Sequence, residues 1–155
     1  MRQIMDKLTQ FESKNRLREK IIQLESQMLA RTDIQVKIEP KHYFANGLYL
    51  REIYIPKGTC LTGKIHKTEH ICILSLGEVS VCTDSGMKRI KASTVVHSEP
   101  GTKRVLYAHE DSVWINCHFN PTNESDLEKI DEIFVTDTFE KFMELEEQKK
   151  ITGGN

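Results

Sequence analysis

A chain of 155 residues and 17.9 kDa is long enough for one compact domain with an appendage. A net charge of −1 with 29% charged residues gives no overall field to draw in a nucleic-acid polymer or a membrane surface. Apolar runs are only a few residues long and no h-region follows Met1, so the expectation is a cytoplasmic protein without a transmembrane span.

The charge is nevertheless uneven. Residues 57–104 hold eight Lys/Arg against four Asp/Glu, whereas residues 122–150 hold ten acids against four bases. A basic middle and an acidic tail suit either an anion-receptive centre or self-complementary packing between subunits. Cys60, Cys72, Cys82 and Cys117 are scattered through strand-like segments without a C-x-x-C pair, which fits buried thiols in a reducing compartment.

Residues 2–30 read as one helix. Ile4, Leu8 and Phe11 share a stripe that Leu17, Ile21, Leu24 and Met28 continue, with a polar break at Lys14, Asn15 and Arg18. Such a stripe is buried either on the chain's own barrel or against the same helix of another subunit. The preferred reading makes residues 1–31 an oligomerisation helix.

From Ile34 the period shortens to two, with Ile34, Val36 and Ile38 alternating as in a half-buried strand. Further strand-like runs follow at 48–55, 59–64, 70–76, 79–83, 88–91, 94–98, 103–108 and 112–119. Turn residues such as Pro56-Lys57-Gly58, Asp84-Ser85-Gly86 and Pro100-Gly101 separate many of them. Many short strands at this spacing predict a mainly β jelly-roll-type barrel over 32–121. The helical period returns over 122–150, where Ser125 and Thr138 are candidate caps of two short helices packed outside the barrel. Residues 151–155 read as a flexible tail.

Within the barrel, GKIHKTEHICILSLG at 63–77 places His66, His70 and Gly77 in the spacing H-x3-H-x6-G, and Pro100-Gly101 follows downstream. This resembles the cupins, which carry G-x5-H-x-H-x3-4-E-x6-G and then P-x-G-x2-H-x3-N. The resemblance covers roughly residues 45–120 and implies a double-stranded β-helix. It aligns Lys64 with the first histidine, His66 with the second, His70 with the glutamate and Arg104 with the last histidine. The chain also resembles small cupin-type proteins of bacteriophages, with TKRVLYAHEDS following the turn. That implies action in a host cytoplasm.

Two permanent cations at ligand positions disfavour a metal, so no cofactor is expected, although His109 and His118 are potential substitute ligands. Lys64, His66, His70, Arg104 and His109 are instead the candidate binding residues for a small anion, with Arg104 as a forked donor. Alternation puts His70, Cys72 and Leu74 on one strand face, and Arg104, Leu106 and Ala108 on another, both aimed into the barrel if the alignment holds. Lys103 then falls outward, exposed or at a subunit contact. Trp114 reads as core or interface.

The resulting expectation is a non-enzymatic cupin that binds an anionic or nucleotide-derived ligand; a phage protein sequestering a host defence signal is one form of it. The alternatives are a cupin enzyme, metal-dependent or an isomerase/epimerase with His66 or His70 as base, and a structural oligomer. No P-loop, dinucleotide glycine pattern or H-E-x-x-H is present.

Overall fold

The apolar period of the N-terminal segment produces α1 (Arg2–Ala30) in a computed structural model that describes residues 1–153. Its two halves differ. Ile21 is buried, Arg18 pairs with Asp84 at 2.8 Å, and Glu25 accepts hydrogen bonds from Thr62 Oγ1 and Lys103 Nζ, each at 2.8 Å. Ile4, Leu8 and Phe11 remain exposed. The polar break in the stripe therefore marks where the helix leaves its own barrel. Lys103, expected at the surface, is buried under this helix, where Glu25 and the Gly63 carbonyl neutralise and bind its ammonium.

No strand forms at 34–38. A 3-10 turn occupies Thr32–Ile34, and Gln35 donates to the Met28 and Arg31 carbonyls at the end of α1. The alternation there has another origin: Ile38 packs on the barrel core without pairing as a strand. The first strand is β1 (Lys41–Ala45), just after Pro40.

Nine further strands complete the barrel: β2 (Gly47–Ile55), β3 (Cys60–Thr62), β4 (Ile65–His66), β5 (His70–Leu76), β6 (Glu78–Thr83), β7 (Gly86–Lys91), β8 (Thr94–Ser98), β9 (Val105–Ala108) and β10 (Ser112–Asn120). The large antiparallel sheet has the order β1-β2-β10-β5-β8 and the smaller one β3-β9-β6-β7. Between them lies a core of Ile53, Ile55, Cys72, Leu74, Val79, Val81, Leu106, Ala108 and Trp114. Alternating residues of β2, β5 and β10 point into this space, as period-two patterning requires.

The C-terminal segment closes one end. Asp126, rather than Ser125, caps α2 (Leu127–Phe134), accepting from the Glu128 and Lys129 backbone amides. Thr138 caps α3 (Phe139–Thr152), and β11 (Val135–Thr136) pairs with β4 between the two helices. Instead of lying wholly outside, α2 buries Ile130 and Phe134 against Tyr49. Of the expected flexible tail, residues 151 and 152 belong to α3, Gly153 ends it in the left-handed conformation, and 154–155 lie outside the described residues. Among the described residues no helix is long and apolar enough to cross a membrane.

Candidate metal and anion site

Three histidines from three strands meet inside the barrel. His66 comes from β4, held by the pairing of Val135 with His66 and by the Gly101 amide donating to the His66 carbonyl at 2.8 Å. His70 opens β5, and its Nδ1 lies 3.2 Å from the Thr68 carbonyl. His118 comes from β10, inward with Trp114 and Asn116. Ring centroids are 4.2 Å apart for His66–His70, 4.5 Å for His70–His118 and 5.2 Å for His66–His118. One nitrogen from each falls within 4.8 Å of the others.

These nitrogens are short of partners. His66 Nδ1, His70 Nε2 and His118 Nδ1 are buried without a hydrogen bond. Burial is the main cause that pushes the ring pKa values down, to about 2 for His66, about 4 for His70 and about 3 for His118. The neighbouring rings and the Arg104 guanidinium add to it for His66, and Arg104 adds to it for His70 and His118. All three are therefore neutral at pH 7, each with a free lone pair or N–H to offer.

His66 and His118 form part of the wall of a cavity of about 400 Å³, with His70 packed against both rings behind them. Tyr49, Arg51, Asn116, Arg104 and Trp114 also line it, as do Asp131 of α2 and its partner Lys64. Arg104 is buried. Its guanidinium donates to Ser98 Oγ at 2.6 Å and Cys72 Sγ at 3.4 Å and lies 5.6 Å from the Trp114 ring centroid, leaving Nε without a partner. Tyr49 stacks on both His118 and Phe134 at 5.8 Å, and its hydroxyl lies 2.9 Å from His42 Nδ1. This aromatic packing fixes the His118 ring.

Of the five expected binding residues, the structure gathers His66, His70 and Arg104. Lys64 lines the cavity, but its ammonium is half exposed and held by Asp131 at 2.5 Å and Asp137 at 3.7 Å, so it clasps the barrel to α2. His109 is elsewhere. It follows β9, bonds to Ser80 Oγ at 2.7 Å, meets Tyr107 edge-on and does not line the cavity. Of the two potential substitute ligands, His118 joins the cluster. Period-two counting from Trp114 was the signal for it, and the same counting along β2 from Tyr49 finds Arg51.

Neither a protein-family profile nor a curated protein sequence matches the chain. Solved structures do resemble it. The plu4264 protein of Photorhabdus luminescens superposes with a TM-score of 0.50 at 8% identity, covering 59% of this chain and 85% of that one. A cupin 2 conserved barrel domain protein from Salinispora arenicola reaches 0.47 at 14% identity, over 59% and 85% of the two chains. A cupin superfamily protein from Desulfitobacterium hafniense reaches 0.47 at 6% identity, over 56% and 83%. The two facing sheets and their strand order are those of a jelly roll. The fold is a jelly-roll barrel. At these identities the likeness concerns fold alone, and the barrel's chemistry here has to be read from its own side chains.

Proposed function

We propose that this cupin-fold protein binds a small anionic metabolite beside a divalent transition metal held by His66, His70 and His118. The observation that carries the reading is three buried histidines that bring one ring nitrogen each within 4.8 Å of the others, every ring also having a buried nitrogen without a hydrogen bond. Leaving such groups unsatisfied costs about 1–3 kcal/mol each, which a shared cation would recover. Imidazoles that stay neutral at pH 7 suit zinc, iron, nickel or copper, and need no deprotonation before binding. Once bound, such a metal would supply Lewis acidity and an open position for an oxygen ligand.

Three neutral ligands leave the charge of a divalent ion uncompensated, and Arg51 and Arg104 add further positive charge around the cavity. An anionic guest balances that charge. Arg104 and Arg51 both line this space, and the Arg104 Nε is buried without a hydrogen bond. The cavity is at the lower end of the range for small-molecule sites, enough for one compact metabolite. A metal-free isomerase is less well supported, since a base works best with a pKa near the working pH, and His66 and His70 lie far below it. The narrower role of a phage protein that sequesters a defence signal is carried by the sequence resemblance, not by the cavity.

Titration of the metal-stripped protein with cobalt(II) tests the reading. One equivalent is expected to give the visible absorption of an imidazole-ligated ion, and His66→Ala or His118→Ala to weaken binding at least about 10-fold. Phosphate or small carboxylates should then raise the melting temperature in the wild type but not in Arg104→Ala. Absence of cobalt binding in the folded wild type removes the metal part; an Arg104→Ala variant that keeps the anion response removes the anion part.

A further inference from the structure

The large sheet is apolar on its outer face as well as over the core half of its inner face. On its outer side the register puts Leu48, Leu50 and Tyr54 of β2 beside Val113, Ile115, Cys117 and Phe119 of β10, and these beside Ile71, Ile73 and Leu76 of β5. Across these three central strands Glu52 is the one outward charge, and it pairs with Lys41 on edge strand β1 at 3.8 Å. An antiparallel sheet with one face in water alternates polar with apolar residues, whereas apolar residues on both faces are the pattern of a sheet covered on both sides. Phe119 is 70% exposed and Val95 of β8 65% exposed, so the cover is missing from the single chain.

The helices pack elsewhere. α1 lies against β6 of the small sheet, and α2 and α3 against β11. The outer face of the small sheet, by contrast, carries Ser80, Arg89 and Lys91 and has its own helix at hand. The extent of the bare face is informative. Nine-residue strands β2 and β10 run about 30 Å, and five strands at about 4.8 Å span about 24 Å. Allowing for the shorter strands, this is roughly 600 Å², at or above the largest patch of an ordinary monomer and close to the roughly 800 Å² per partner of a stable interface. Charge depletion at its centre, with charges at the edges, is the composition of an interface core and rim.

We infer that this face packs against the same face of a second copy of the chain, forming a two-fold sheet-to-sheet dimer. A self-complementary patch is what a two-fold contact requires, and an apolar, nearly uncharged sheet matches its own image without opposing charges. The contact has a consequence for the cavity. Ile71 and Cys117 are chain neighbours of His70 and His118, so the interface would brace the strands that carry two of the three inward histidines.

Light scattering across a concentration series is the test. The wild type is expected at twice the 17.9 kDa chain mass. Ile115→Lys and Phe119→Lys are expected to give folded monomers with unchanged far-ultraviolet and Trp114 near-ultraviolet dichroism. Leu8→Lys on α1 should leave the dimer intact. A wild type that stays monomeric at all concentrations overturns the inference, as does an assembly that survives Ile115→Lys but is lost in Leu8→Lys. If the lysine variants fail to fold, thiol alkylation of the wild type decides: Cys117 labelling should slow at least about 10-fold with rising protein concentration while Cys82 labelling does not. Equal behaviour of the two thiols overturns the dimer.

Discussion

Arg104 shows how one side chain sets the character of its surroundings. It stands where the resembling motif has a metal-binding histidine, and its positive charge helps to keep His66, His70 and His118 neutral. Replacing it with methionine keeps the length and removes the charge. The His66 and His70 pKa values are then expected to move up toward the ordinary 6.5, which NMR titration of the imidazole resonances would follow. Unmoved resonances would show that burial alone holds the rings neutral. Gly101 carries a different constraint. Its φ is +80°, and a Cβ there would lie 2.7 Å from the Phe142 ring. Gly101→Ala should cost about 2 kcal/mol or more, and Phe142→Leu in the same chain should recover part of that loss by relieving the contact but not the backbone. Paired denaturant melts of the single and double variants would measure both contributions.

Among the elements, α1 depends most on one polar contact. Lys103 is 5% exposed and donates to Glu25, which is partly exposed, and to the Gly63 carbonyl. Lys103→Ala leaves the Glu25 carboxylate against the barrel without its cation, a loss of about 1–3 kcal/mol once solvent access to Glu25 is allowed for. Hydrogen exchange should then rise across residues 17–30, while the sheet amides stay protected. The same contact shows what the sequence could and could not reveal. The α1 period, most of the strand segments and the inward set His70, Cys72 and Leu74 were legible, because each is a local pattern of one element. Lys103 was misplaced because alternation was extended to a residue that precedes β9, and because alternation knows nothing of the helix that lies over it. Residues 34–38 copied the strand period while Gln35 and Pro40 directed the backbone elsewhere. The two-residue strands β4 and β11 have no pattern long enough to read, yet their pairing places His66. The site itself was half visible. His66 and His70 follow from the first aligned motif and Arg104 from the second; His118 was named only as a substitute ligand, and Arg51 comes from a strand that only the closed barrel brings alongside.

At the scale of the whole molecule, the buried triad ties folding to pH. In the unfolded chain the three histidines take up protons near pH 6.5; in the folded chain they resist until about pH 4, 3 and 2 for His70, His118 and His66. The unfolded state thus binds more protons throughout that interval, so stability rises with pH there and falls as pH drops below about 6.5. The loss amounts to at most about 1.4 kcal/mol per pH unit for each histidine, and coupling among the three rings reduces the sum. Glu78, whose carboxyl is held below its usual range by Arg89, adds a loss in the same direction only in the carboxylate range. Between pH 6.5 and 5 the histidines therefore dominate. Urea melts of the metal-free protein in this interval should show the midpoint falling with pH, and His66→Gln with His118→Gln should remove most of that slope. Zinc in excess should stabilise the wild type throughout this interval without steepening the slope, since the folded rings stay unprotonated there and protons compete for their lone pairs only below about pH 4. A slope left undiminished in the double variant, where only His70 remains of the three, would place the acid sensitivity outside the triad.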